Sequence, residues 1–166
     1  AGGKAKCQFV TETLGADACL DYRLPNLEGR LQAAAPAGVH VFYDTVGGLT
    51  ADAVFANMAK YGHIVLVGRS DANNSADPGS DFANMRMVWA RECTVETFSM
   101  YSLLPERRAT GRARMAALVR SGAVRPQASL VEGFENTTQR RPAVLAGNLW
   151  GTACGRAGGH WRYVGP

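Results

Sequence analysis

The sequence predicts an α/β fold, a doubly wound parallel sheet with helices on its faces, and three observations predict it. Short apolar runs alternate with helical patterns of about ten residues, the signature of βαβ units whose crossovers lay helices on a sheet. The run His63–Val67 (HIVLV) is continuously apolar rather than alternating, as in a strand covered on both faces. A hydrophobic content of 46% over 166 residues provides for one packed core, since a domain usually spans about 100 to 200 residues.

Taken in chain order, residues 4–14 place Cys7, Phe9, Val10 and Leu14 at helical spacing, and Gly15 stands where a helix end wants a left-handed residue. Ala18–Leu20 is a short apolar run. Pro25-Asn26 then punctuates, and Leu27, Leu31 and Ala34 mark a short helix. Val39–Tyr43 reads as a strand ending at Asp44, broken by Gly47-Gly48. Thr50 is the expected N-cap of a helix over 51–61, with Ala53, Val54, Met58 and Tyr61 on one side. After the strand 63–67, ended by Gly68, the Asn-, Asp- and Ser-rich stretch 70–81 reads as a long loop, a lid or pocket rim. A helix is expected over 82–91 and a strand over Thr94–Phe98. A long helix follows over 106–120, with Met115, Leu118 and Val119 on one side and Arg107, Arg108, Arg112 and Arg114 on the other. Ala128–Val131 is the last expected strand, and the chain has no internal repeats.

Charge is unevenly placed. Residues 1–100 carry eight Lys and Arg against eleven Asp and Glu, whereas residues 101–166 carry ten Arg against three acids, so the net +4 is a C-terminal property. A basic half raises nucleic-acid binding as a rival function, but no aromatic platform interleaves with the arginines, and those of 106–120 read as a solvated helix face. Cys7, Cys19, Cys93 and Cys154 form no C-x-x-C pair, and His40, His63 and His160 form no i, i+4 pair. The residues therefore point to free thiols in a reducing cytoplasm and to no metal site. No apolar run reaches the roughly 18 to 20 residues of a membrane span, and the expectation is a soluble, unexported protein.

A sheet of this kind binds ligands at the carboxyl ends of its strands. The candidate segments are Ala1–Lys4, Asp44–Gly48, Val67–Arg69 and Phe98–Met100, where glycines let a ligand approach the backbone.

The runs LGADACLDYR, GVHVFYDTVGG, KYGHIVLVGR and LVEGFEN, with Gly147-Asn148 following, occur in an order that resembles the cofactor domain of zinc-independent medium-chain dehydrogenases/reductases. Within them, the resemblance is to prostaglandin/leukotriene, curcumin and alkenal double-bond reductases, over about residues 1–151. It implies a Rossmann-like sheet, here incomplete at its N-terminal side, because no G-x-G-x-x-G loop is present and the family's first strand and catalytic domain would precede Ala1. It also implies NADPH as cofactor. Lys6, in Gly2-Gly3-x-x-Lys6-Cys7, resembles the lysine that pairs with the 2′-phosphate, and Tyr22 the tyrosine on the same phosphate. The run Ala1–Lys6 has two lysines and no acid for ribose hydroxyls, which agrees with a phosphate there. Thr45 stands at the family's asparagine near the nicotinamide ribose and keeps a hydroxyl without the amide's donors. Val67 and Gly68 match the strand end along the nicotinamide. Phe98, Ser99 and Met100 match the segment that holds the carboxamide, and Asn148 the asparagine near the cofactor phosphates.

The implied activity is NADPH-dependent reduction of activated double bonds of enones or enals, or of quinones. The family's loop tyrosine is absent from residues 69–90, so the catalytic proton donor is unassigned. The chain alone is expected to be an inactive fragment, and the family's edge-to-edge pairing implies a homodimer; the alternative is a non-catalytic nucleotide-binding or interaction module completed by a partner. Residues 152–166, glycine- and arginine-rich with no acid, stop resembling the family and read as a divergent tail or a shifted reading frame.

Overall fold

The computed structural model describes residues 1–68, 83–99, 103–132, 152–157 and 160–163. It divides into two compact units, 1–102 and 103–166. The loop expected at 70–81 lies outside the described residues.

The first unit runs α1 (Lys4–Gln8), a π-helical turn (Phe9–Thr13), α2 (Leu27–Ala34), β1 (Val39–Asp44), α3 (Gly48–Ala56), β2 (Met58–Leu66), α4 (Met85–Ala90) and β3 (Thr94–Thr97). Its sheet has the order β1-β2-β3 with both pairings parallel, the βαβ arrangement that the sequence predicts. The apolar run of β2 is central because it must satisfy two neighbours and a helix layer at once. The core is correspondingly small and lies under α3. Ala51, Val54 and Phe55 of α3 meet Met58 and Ile64 of β2 and Val88 of α4, with Leu31, Val39, Phe42 and Leu66 packed against them. Phe42 and Phe55 meet edge to face at 6.2 Å. Burial of side chains such as Phe55, Met58 and Ile64 stabilises the unit by about 1.5 to 3 kcal/mol each.

Three boundaries differ from the sequence expectation. The helix expected over 51–61 ends at Ala56, because Asn57 closes it: its N–H donates to Val54 O, and its Nδ2 to Ala53 O and to Glu28 O of α2. The chain then turns directly into β2, where Met58 pairs with Val39, so Met58 is buried while Tyr61 is 67% exposed rather than on a helix face. Between Met58 and His63 the register with β1 shifts, and the irregularity is accommodated by Tyr61 at φ 62° and by Gly62. A Cβ at Gly62 would sit 2.5 Å from Met58 Cε and 3.1 Å from Ala59 O. Arg91 secures the irregular turn by donating from Nη1 to Met58 O at 2.6 Å, while its own carbonyl accepts from Tyr61 N at 2.8 Å. The start of α3 also moves, to Gly48 with Gly47 as its cap in place of Thr50. Finally, the helix expected over 4–14 shortens to α1 and the π-helical turn, although Gly15 takes φ 77° as expected.

In the second unit α5 spans Pro105–Arg120, with proline at its first turn where no intrahelical N–H partner is lost. Met115 remains 52% exposed, so the expected apolar side of α5 is only partly covered. β4 (Ala128–Glu132) pairs parallel with β5 (Thr152–Ala157), and β5 pairs antiparallel with β6 (His160–Tyr163), so part of 152–166 forms strands. Among the described residues no helix is long and apolar enough to cross a membrane.

Candidate functional site

Parallel pairing brings the carboxyl ends of β1, β2 and β3 to one edge, with Asp44 opposite Leu66 and Leu66 opposite Thr97. The segments leaving that edge are stitched together through the backbone. Val67 N and Gly68 N donate to Asp44 O at 2.8 and 3.4 Å, and Phe98 N donates to Leu66 O at 2.9 Å. Thr45, Val67, Gly68, Phe98 and Ser99 therefore lie along one rim. Among the described residues an added Cβ at Gly68 would meet Thr45 O alone, at 3.5 Å, so none of them crowds the backbone there.

The loop from β1 to α3 is set by a residue whose function the sequence reading did not assign. Asp44 is 3% exposed, and its Oδ1 accepts from Val46 N and Gly47 N, both at 2.9 Å. This turns the chain at Gly47 (φ 79°, ψ −154°), a conformation open to glycine, and α3 begins at the next residue. The signal available in the sequence was an acid two and three residues ahead of Val46 and Gly47, the spacing at which a short carboxylate captures its own downstream N–H groups.

Lys6 and Tyr22 belong to a second cluster, around the chain's first residues. The segment 19–25 runs beside Ala1–Gly3: Ala1 N donates to Leu20 O at 3.0 Å, and Tyr22 N donates to Ala1 O at 3.2 Å. The run Ala18–Leu20 thus pairs through the backbone without forming a regular strand. Tyr22 is 52% exposed and leans over Gly2, where an added Cβ would stand 3.0 Å from the phenol oxygen and 2.9 Å from Arg23 Nε. The Arg23 guanidinium lies 5.9 Å from the Tyr22 ring centre. Lys6 is half-buried on α1, three residues after Gly3.

Two further side chains hold the cluster, and neither was singled out from the sequence. Arg30 of α2 donates from Nη2 to Asp21 O and Leu24 O, both at 2.8 Å, and from Nε to Pro25 O at 3.0 Å, which fixes the strap carrying Tyr22. Asp21 accepts from the N–H groups of Gly3 and Arg23, and these bonds hold its carboxyl below the ordinary aspartate range. Arg23 is the cation that sequence reasoning missed; its only signal was adjacency to Tyr22. Met100 and Asn148, the remaining expected site residues, lie outside the described residues. Among the described residues no group of three or more His, Cys, Asp or Glu could hold a metal ion.

The family described as zinc-binding dehydrogenase matches residues 1–119. The NADPH-dependent curcumin reductase of Escherichia coli is 28% identical over 163 residues, covering 96% of this chain and 47% of its own length. Prostaglandin reductase 1 of Bos taurus is 29% identical over 144 residues, covering 86% of this chain and 43% of its own. The crystal structure of CurA from Vibrio vulnificus, solved in complex with NADPH, superposes with a TM-score of 0.81 at 26% identity, over 95% of this chain and 48% of that one. The chain thus spans about half the length of the relatives it matches. With its parallel βαβ sheet, the chain belongs to the zinc-binding dehydrogenase family, in the zinc-independent medium-chain dehydrogenase/reductase branch that the curcumin and prostaglandin reductases represent.

Proposed function

We propose that this chain forms part of the nucleotide-binding domain of an NADPH-dependent oxidoreductase that reduces activated carbon–carbon double bonds of enones or enals, or quinones. The observation that carries the reading is the donor cluster at Gly2: the exposed Tyr22 phenol and the Arg23 guanidinium converge there, and Lys6 follows on α1. Two cations and a phenol suit a dianionic phosphate ester, and a 2′-phosphate is what separates NADPH from NADH. Asp21 sits in the same corner, yet its carboxylate is occupied by the N–H groups of Gly3 and Arg23.

Lys6, Tyr22 and Arg23 would hold the phosphate. Thr45 would lie by the ribose, the open backbone of Val67 and Gly68 would accept the flat nicotinamide ring, and Phe98, Ser99 and Met100 would hold its carboxamide, with Asn148 near the phosphates. The reduced nicotinamide supplies the hydride when bound. The chain's own residues bind and orient it, and a proton from protein or solvent completes the reduction. The substrate class is supported by the names of the relatives, a curcumin reductase and a prostaglandin reductase, and a homodimer is a further part of the same proposal.

The test is a parallel fluorescence titration of the folded 166-residue chain with NADPH and NADH. NADPH binding at least about tenfold tighter, a difference of about 1.4 kcal/mol, is the expected result. Equal affinity for the two would sink the reading, and no binding of either by a folded chain would favour a module that needs a partner.

A further inference from the structure

We propose that Cys7 and Cys19 are a redox-active pair that closes a reversible intramolecular disulfide. Cys7 stands on α1 and Cys19 on the segment leading into Tyr22, and their Sγ atoms lie 3.0 Å apart. Both are half-buried free thiols, accessible to a small oxidant.

The chain between them is already folded back on itself. Leu14 N donates to Phe9 O and Ala16 N to Val10 O, and Gly15 makes the reversal at φ 77°. Leu20 and Tyr22 are bonded to Ala1, and Cys7 N to Gly3 O, so both ends of the loop are anchored to the same three residues. A sulfur–sulfur bond of about 2.05 Å requires the thiols to approach by only about 1 Å. The hydrogen bond with Cys19, followed by partial burial, holds the Cys7 thiol above its ordinary range. Cys93 differs: its Sγ faces Ala59 O at 3.7 Å, far along the sequence from either thiol.

The oxidant is a small disulfide such as oxidised glutathione. One cysteine thiolate attacks it, forming a mixed disulfide and releasing one glutathione thiolate; the second cysteine thiolate then displaces the other. Two cysteine S–H bonds and one glutathione disulfide bond are lost. One protein disulfide and two glutathione thiols form, the protons passing to the released thiolates. The bond would tie α1 to the strap that carries Tyr22, next to Lys6; that consequence for the cofactor rests on the function proposed above.

The experiment is an equilibration of the full chain in glutathione buffers of graded ratio, followed by acid quench and mass spectrometry. It contains no nucleotide, so its outcome is independent of the cofactor titration. Trypsin cuts after Lys6 and Arg23, leaving both thiols in one peptide, 7–23. The expected product is that peptide lighter by two hydrogen atoms, its two parts still joined after a glutamyl protease cuts at Glu12, and unjoined once reduced. The value of [GSH]²/[GSSG] at half-oxidation should be at least about tenfold higher for the folded chain than for the chain in urea, because the fold supplies the proximity. Cys93→Ser should leave it unchanged, and Cys7→Ser and Cys19→Ser should each abolish the internal bond. Only mixed glutathione adducts at Cys7 or Cys19, bonds through Cys93 or Cys154 instead, or a smaller folded-to-unfolded ratio would overturn the proposal.

Discussion

Replacing Asp44 by alanine tests whether a buried carboxylate builds the rim at the end of β1. The side chain is 3% exposed, and its Oδ1 takes both the Val46 and Gly47 N–H groups at 2.9 Å. Truncation leaves one donor buried and one half-buried. A buried donor left unmet costs about 1 to 3 kcal/mol, and a half-buried one less because water reaches it, so the loss should be about 2 to 4 kcal/mol. With a urea slope of about 1 to 3 kcal/mol per molar, the unfolding midpoint should fall by about 0.7 to 4 M. Asp44→Asn keeps an acceptor oxygen in place and should cost about 1 kcal/mol. Urea titration followed by circular dichroism of the two variants checks both numbers. If alanine and asparagine cost the same, or alanine costs less than about 0.5 kcal/mol, the two hydrogen bonds do not hold the loop.

Three further outcomes are expected. Lys6→Ala should weaken NADPH binding about ten- to a hundredfold, the loss of one charge-assisted contact of about 1.5 to 3 kcal/mol, and leave NADH unchanged; Tyr22→Phe should act in the same direction by less, in the same fluorescence titration. Gly62→Ala should destabilise the first unit by about 1 to 3 kcal/mol, because its methyl would meet Met58 Cε at 2.5 Å and Ala59 O at 3.1 Å, and thermal unfolding of the variant beside the parent chain should show it. The Asp21 carboxyl is held below its usual range first by the Gly3 N–H and then by the Arg23 N–H, so its folded pKa lies below its unfolded one. It therefore contributes stability that is present above the unfolded value, near about pH 4, and is lost as pH falls through the lower folded value. Asp21→Asn should flatten that part of the acid-unfolding curve, and an unchanged curve would count against the two N–H contacts.

Periodicity carried the fold well where packing and propensity agree. The parallel order, the strand 39–44, the short helix 27–34 and the position of β3 follow from apolar spacing and from Pro25-Asn26, and the structure adds that Asn26 caps α2 by accepting from Gly29 N at 3.1 Å. The misread stretch is 51–61, where helix-forming residues continue past the true end. Its helix stops at Asn57 because two carbonyls, one on α2 and so 29 residues away, draw on the same amide. A long-range partner has no local periodicity, and the turn at Tyr61–Gly62 is legible only once Arg91, from α4's end, is seen to reach Met58 O.

The same division runs through the candidate site. Thr45, Val67, Gly68 and Phe98 share a rim because parallel register leaves them no other place, and the hydrogen bonds that join their segments are backbone bonds independent of side-chain identity. Threonine at 45 is compatible with this rim, since only its carbonyl approaches Gly68. The corner proposed for the phosphate depends instead on particular side chains. Tyr22 and Arg23 reach Gly2 from a segment whose carbonyls at Asp21, Leu24 and Pro25 are held by Arg30, and Arg30 does so from a helix whose own pattern predicts nothing beyond a short amphipathic turn. Changes at Arg30 should therefore loosen the phosphate corner while leaving the strand-end rim intact, and selectivity between NADPH and NADH should be the property that separates them.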